Sequence, residues 1–399
     1  MNFSALQPVF SNAKHFRDFW TIGNGKHMQQ WSNANLNFDQ FDRFKGLYYH
    51  TDDLADEVVK YFFFKKSFRE ASLEIENYIT KGVGFNDVST PESVKKLFLQ
   101  TQEIPSWVDW NLMESGASLC RRAGLNSLIV LRDYTLMGGY DYAYLTKPLI
   151  FTEALKKGAV KRLADTLNFW VNVTRKDALH LHQKGYEMTI KTRLIHSYSR
   201  LMILDKRKDW NTEKWGFPIN SWDMMATYIG FSLVFLHGLK KLDLSISEQE
   251  EKGHFMLWKY IGYLLGIPVE ILPNDKKEAT EFFYLWTSIQ PPSDKDSVLL
   301  AKSLLDENLE ATFLKFKFQR KILRKLHASM NWFLLDKDVN ERLEIPKIML
   351  PRIFPNLIRF RNRWFQKFNT PEKQIKIGGD AQEKVLEDYL KIAPRNVHN

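Results

Sequence analysis

A single histidine, His196, stands where a histidine is hardest to explain as filler. It lies in residues 185–204, GYEMTIKTRLIHSYSRLMIL, whose apolar residues recur at helical spacing. At about 100° per residue, Ile190, Leu194, Tyr198, Leu201 and Met202 form one stripe, with Met188 and Ile195 at its edge. His196 falls on the other side, together with Thr189, Arg193, Arg200 and Ile203. The two arginines lie one helical turn from it in each direction. An imidazole can ligate iron while guanidinium groups pair with carboxylates, so one histidine between two arginines can hold an iron porphyrin by its metal and its propionates. The plainer alternative is a half-exposed polar residue on a helix's second face.

Residues 158–175, GAVKRLADTLNFWVNVTR, carry the second constellation. Val160, Leu163, Ala164, Leu167 and Val171 make a core stripe, which leaves Arg162, Asp165 and Thr166 together on the opposite face at i, i+3 and i+4. Phe169 and Val173 continue that face. Polar groups converging within an apolar surface are the make-up of a ligand site, and a surface salt bridge explains the same trio more simply.

The elements that must position these groups read as helices almost throughout. Residues 1–50 are polar and aromatic with turn signals at NGK and SNANLNFD, an extension laid over a core. A helical pattern follows over 51–81, with Tyr61-Phe62-Phe63-Phe64 needing burial, then a loop at 82–90 and a helix opened by Pro91. Residues 125–136 are strongly apolar, Gly138-Gly139 breaks them, and Pro148 is expected to start a helix running to Lys157. The apolar helices at 228–239 and 254–267 are expected to wall a pocket. From Pro346 to Phe368 six basic residues and no acidic ones alternate with large apolar side chains, a pattern interrupted by Pro351 and Pro355. Packing on the core is the expected role of that tail, with weak membrane-surface contact as the alternative. His180 and His182 read as surface residues and His237 as a polar helix C-terminus; no HExxH, nucleophile elbow or phosphate-binding glycine loop is present.

Composition bounds the rest. Of 399 residues, 44% are hydrophobic, including 12 Trp and 29 Phe, which is ample for a large core or an apolar pocket. The lone Cys120 excludes an intrachain disulfide framework and any cysteine-based metal centre, and a reducing compartment is the expectation. A net charge of +10 would suit nucleic acid, but Lys and Arg are dispersed and no nucleic-acid signature accompanies them. No apolar run approaches the roughly 18 residues of a membrane span, and the N-terminus lacks a signal-peptide pattern. A cytoplasmic protein is expected. The division expected along the chain is an N-terminal helical extension at 1–99, a core at 100–345 and a basic C-terminal extension at 346–399.

The ordered motifs resemble the superfamily of latex clearing proteins, or rubber oxygenases, and MpaB-type oxygenases. The resemblance runs over roughly residues 100–300, from PSWVDW through KPLIFTEALKKGAVKRLADT and TRLIHSYSR to WGFPINSWDMMATYIGFSLVFLHGL. The family pattern of an Arg and a Thr four residues apart, then a His in an R-L-x-H-x-x-x-R context, falls on Arg162, Thr166 and His196, with Arg193 and Arg200 flanking. A further G-x-P-I-x-x-x-D-x-x-x-T-x-x-x-F pattern falls on Gly216, Pro218, Ile219, Asp223, Thr227 and Phe231.

The resemblance implies an all-α, globin-like helical core with additional N- and C-terminal helices. It implies one haem b, with His196 as axial iron ligand and Arg162 and Thr166 on the opposite, distal side; the helix face adds Arg193 and Arg200 near the haem carboxylates, and Asp165 beside Thr166 is expected to add acid–base capability if burial raises its pKa. The expected activity is that of an oxygenase using dioxygen on a small or medium apolar molecule. The alternative is a haem-binding sensor or carrier without turnover. Two departures stand out. Asp165 replaces the lysine that rubber-cleaving members place before the distal threonine, and gap-free counting puts Thr146 where they carry a catalytic glutamate, with Glu153 the nearest carboxylate.

Overall fold

The computed structural model describes residues 6–81, 90–152, 158–348 and 353–393. Helices make up nearly all of it, and there is no strand among the described residues. In chain order the principal elements are α1 (Lys14–Thr21), α2 (Asn24–Ser32), α3 (Asp53–Phe63), α4 (Glu92–Gln102), α5 (Trp110–Arg122), α6 (Leu125–Val130) and α7 (Ala143–Phe151). They continue with α8 (Ala159–Val173), α9 (Lys184–Lys206), α10 (Ser221–Ile229), α11 (Phe235–Lys241), α12 (Glu248–Leu264) and α13 (Lys276–Thr287). The last are α14 (Lys295–Glu310), α15 (Lys317–Leu334), α16 (Ile353–Phe368) and α17 (Pro371–Ile392). Among the described residues no helix is long and apolar enough to cross a membrane.

Local sequence explains where several helices begin. Asp109 caps α5 by accepting from the Leu112 backbone N–H, and Asn220 caps α10 through the Asp223 N–H. Ser247 and Glu250 form a reciprocal capping box at the start of α12. The stripe expected on α8 is buried in full, Val160, Leu163, Ala164, Leu167 and Val171 alike.

The core is one cluster to which the chain ends contribute. Phe16, Trp20, Val59 and Leu97 belong to the same buried set as Trp170, Trp222 and Trp286, and so do Leu386 and Tyr389 from α17. Gln382 of α17 donates to the Cys120 and Gly124 carbonyls at 2.8 and 3.0 Å, tying the C-terminal helix to the end of α5. The helices α5 and α12 cross at Gly116 and Gly253, where a Cβ on Gly253 would lie 2.1 Å from the Leu112 carbonyl oxygen. Only glycine permits that approach.

Two π-helical turns interrupt the central helices. Leu131–Leu136 follows α6 and Gly230–Val234 joins α10 to α11. They face each other, with Thr135 Oγ1 donating to the Gly230 carbonyl at 3.4 Å. A π turn displaces the residues after it relative to a regular helix and recurs at functional sites.

Some expectations change. Pro148 lies inside α7, which begins at Ala143, because the preceding turn supplies the residues that open the helix. Residues 153–157, including Glu153, and residues 82–89 of the expected loop lie outside the described residues, as does Pro351. Pro355 does not interrupt the tail helix. It sits in the first turn of α16, where a missing N–H leaves no intrahelical bond unmade. On α9 the polar face is as buried as the apolar one: Thr189, Arg193, Ser197 and Arg200 are buried, whereas Leu201 and Met202 are only partly covered.

Candidate functional site

A cavity of about 470 Å³ opens between α1, α7, α9, α10, α13 and the two π turns. Its size falls in the range of small-molecule sites. Phe16, Trp20, Leu145, Leu149, Phe231 and Trp286 are among its apolar walls. From α9 it is lined by Ile195, His196 and Ser199. Ile195, 60% exposed, therefore has a cavity to face, which the sequence placed only at the edge of a stripe.

His196 is half-buried, and neither of its ring nitrogens has a hydrogen-bond partner among the described residues; Nδ1 is fully enclosed. Burial, with a smaller contribution from the Arg200 guanidinium, lowers its pKa to about 4 against the opposing pull of Asp52. The ring is therefore neutral at physiological pH, the state in which imidazole binds a metal. An unpartnered neutral imidazole in a cavity wall is costly to keep without a ligand.

The flanking arginines are held by the N-terminal part of the chain. Arg193 Nε donates to Asp52 Oδ2 at 2.6 Å and Nη2 to Asp52 Oδ1 at 2.9 Å, with Gln100 Oε1 accepting a further bond at 3.0 Å. Arg200 pairs with both oxygens of Asp56 and donates to the Ile219 carbonyl at 3.2 Å, while Ser197 Oγ donates to Asp56 Oδ1 at 2.5 Å. Both guanidinium groups are thus already matched by carboxylates from the start of α3. One nitrogen remains: Arg193 Nη1 is buried and unpartnered. Asp52, Arg193, His196 and Arg200 also line a smaller void of about 20 Å³ beside the imidazole.

None of the trio on α8 lines the cavity that His196 lines. Arg162 reaches the cavity at one remove, donating from Nη2 to Tyr140 Oη at 2.7 Å, and Tyr140 is a wall residue. Thr166 Oγ1 is satisfied by the Arg162 carbonyl at 3.0 Å. Asp165 departs from the expectation of a distal acid: its side chain is 58% exposed and pairs at 2.5 Å with Lys161, one turn back and itself largely covered. Thr146 does line the cavity, but its hydroxyl donates to the Ala143 carbonyl at 2.8 Å and offers no carboxylate.

The carboxylates that do reach the cavity come from elsewhere. Asp223 accepts from Trp286 Nε1 at 2.9 Å and from Asn220 Nδ2 at 2.8 Å, and burial nevertheless pushes its pKa up to about 6. Burial also raises Asp141, against the pairing of its two oxygens with Arg342 at 2.9 and 2.6 Å, and raises Asp336, which accepts from the Asn24 backbone N–H. Asp223 was visible as part of a motif, but its proximity to the imidazole's cavity was not. Tyr134, from the first π turn, lines the cavity and shares a 2.8 Å hydrogen bond with His237 Nδ1. His237 is accordingly a buried partner of a wall residue, which corrects its reading as a polar helix end.

Comparison with known proteins bears on this geometry. A solved structure described as latex clearing protein LCP in the closed state superposes with a TM-score of 0.67 at 16% sequence identity, covering 86% of this chain and 91% of that one. At that identity the likeness establishes the all-α fold. No curated protein matches the chain. The family model described as ER-bound oxygenase mpaB/B'/rubber oxygenase, catalytic domain, matches residues 129–360, which hold the two π turns, α8, His196 and Asp223. The chain belongs to that oxygenase family.

Proposed function

We propose that this protein is a haem b-dependent oxygenase that acts with dioxygen on an apolar organic molecule of small or medium size, with His196 as the iron ligand. The observation that carries the reading is the neutral, unpartnered imidazole of His196 in the wall of a largely apolar cavity. A single imidazole is one ligand, so an iron held by it brings its other donors along, as a porphyrin does. Bound haem would supply the activation of dioxygen. The residues of this chain have separate tasks. The aromatic and aliphatic walls exclude water and hold an apolar substrate. Arg193 offers its one unpartnered nitrogen to a carboxylate of the cofactor, while Arg200, fixed by Asp56, braces the helix that presents His196. Arg162 positions Tyr140 through their hydrogen bond. Asp223, with its pKa near 6, can hold a proton at the cavity wall and release it within the physiological range.

The test is a titration of purified full-length protein with haemin. Wild type is expected to develop a Soret band at one equivalent and to yield b-type haem in pyridine, there being no Cys-x-x-Cys-His attachment motif in the sequence. His196→Ala is expected to lose the band. Equal haem content in the two proteins would remove the ligand assignment. Incubation of the haem-loaded protein with alkenes under dioxygen then separates an oxygenase from a sensor or carrier, since only the former forms oxidised product.

A further inference from the structure

The helix α16 carries an apolar stripe that no other part of the described chain covers. Ile353, Leu357, Phe360, Trp364 and Phe368 are each between 52 and 65% exposed. Their spacing puts them on one face. The residues that α16 buries are Pro355, Ile358 and Asn362, roughly 150° away around the helix. The stripe is therefore the outward face of a helix already anchored on its other side. Asn362 Nδ2 donates to the Leu242 carbonyl at 2.9 Å, Gln366 Nε2 to the Asp243 carbonyl at 2.9 Å, and Arg359 pairs with Asp243 at 3.0 Å.

Cations border this stripe. Arg361 lies on one edge, and Arg363 and Lys367 on the other; Arg359 is further round. No Asp or Glu occurs in α16. Among the described residues Arg361 donates to the neutral Asn126 and Asn362 oxygens, at 3.2 and 3.1 Å, and Lys367 Nζ sits 5.6 Å from the Phe368 ring centroid. Basic residues are spread along the chain, and what sets α15 and α16 apart is that they carry five and four Lys and Arg with no acidic residue. The first turns of α15 repeat the combination, with Phe316, Phe318 and Ile322 exposed beside Lys317, Lys321 and Lys325.

From this face we infer that α16 is a membrane-surface helix: the protein docks on anionic lipid with the helix lying in the plane of the headgroups. Large apolar and aromatic side chains on one face, with Arg and Lys at its margins, are the composition of helices that bury one side among acyl chains while their cations pair with lipid phosphates and carboxylates. A second copy of the chain is a poor occupant. A two-fold contact through the stripe would set the bordering cations of one copy against those of the other, whereas an anionic surface neutralises them. The inference does not depend on haem or on the proposed reaction.

The experiment is co-sedimentation of the full chain with sucrose-loaded vesicles of phosphatidylcholine, alone or with about 30% phosphatidylserine. Wild type is expected to bind the anionic vesicles and to bind less as salt rises. Phe360→Ser combined with Trp364→Ser should weaken that binding by about tenfold or more. Arg361→Gln combined with Lys367→Gln should remove the preference for anionic vesicles. Phe360, Trp364 and Lys367 are exposed, so the Phe360→Ser, Trp364→Ser variant is expected to melt with the wild type, and the Arg361→Gln, Lys367→Gln variant only slightly below it for the loss of the Arg361 bonds to Asn126 and Asn362. Wild type that stays in the supernatant with anionic vesicles would overturn the inference. Binding unaltered in both double variants would overturn it too. A dimer in sedimentation velocity that Phe360→Ser with Trp364→Ser dissociates, without lipid binding by the wild type, would assign the face to a second copy.

Discussion

Asp52 and Asp56 make the ion pairs that fix both arginines of the helix carrying His196. Arg200 is 2% exposed, and Asp56 balances it with two oxygens. Removing one partner of such a pair leaves an uncompensated buried charge, so Asp56→Ala is expected to destabilise the fold by about 3–5 kcal/mol in urea denaturation. Asp165→Asn should do little: the pair lies within one helix with its carboxylate exposed and Lys161 largely covered, and contributes about 1 kcal/mol or less, and haemin affinity should match wild type. Asp223 gives a pH signature. Its carboxyl has a pKa near 6 in the folded protein and an ordinary value of 3.8, so the folded state loses stability as pH rises from about 4 to 6 and the group is forced to ionise in a buried site. The loss amounts to about 3 kcal/mol for a shift of this size. Thermal unfolding of wild type and Asp223→Asn across pH 4–7 should show this fall in the wild type and its absence in the variant, and parallel curves would refute it.

A glycine crossing governs how close two helices pack, and two π turns shape the cavity wall. The approach of α5 and α12 is closer than any side chain allows, because backbone atoms lie where a Cβ of Gly116 or Gly253 would go. Gly253→Ala must push the helices apart, and overpacking of this kind costs about 1–3 kcal/mol or more. A lowered denaturation midpoint with an unchanged slope would report it. The π turns Leu131–Leu136 and Gly230–Val234 turn Tyr134, Thr135, Phe231 and Val234 to the cavity wall. Neither turn was visible in the apolar runs that contain them, since apolar character alone does not separate a π turn from a continuous helix.

Over the whole molecule, the last helix closes the structure. Gln382 satisfies two carbonyls at the end of α5, and Tyr389 donates to the buried Glu307 at 2.5 Å, within a network that includes Arg132 and Asp133. A chain ending at Asn369 would leave those groups unpartnered and Gly378's close contact with the Arg121 carbonyl empty. Such a truncation is expected to lose near-ultraviolet circular dichroism and cooperative melting, whereas a native-like spectrum would show that α17 is dispensable.

What the sequence determined by itself is local. Helical periodicity marked the stripe Val160, Leu163, Ala164, Leu167 and Val171 on α8, and the ordered motifs around His196 indicated the family and the all-α fold. Tertiary structure decided what presses against each face. Arg193 finds its carboxylate 141 residues upstream, Asp165 turns out to face solvent, and three acids from separate parts of the chain meet at one cavity. Spacing within a helix fixes which residues share a side. It carries no information about the element packed opposite, and desolvation, which sets the charge states of His196 and Asp223, exists only once that packing is made.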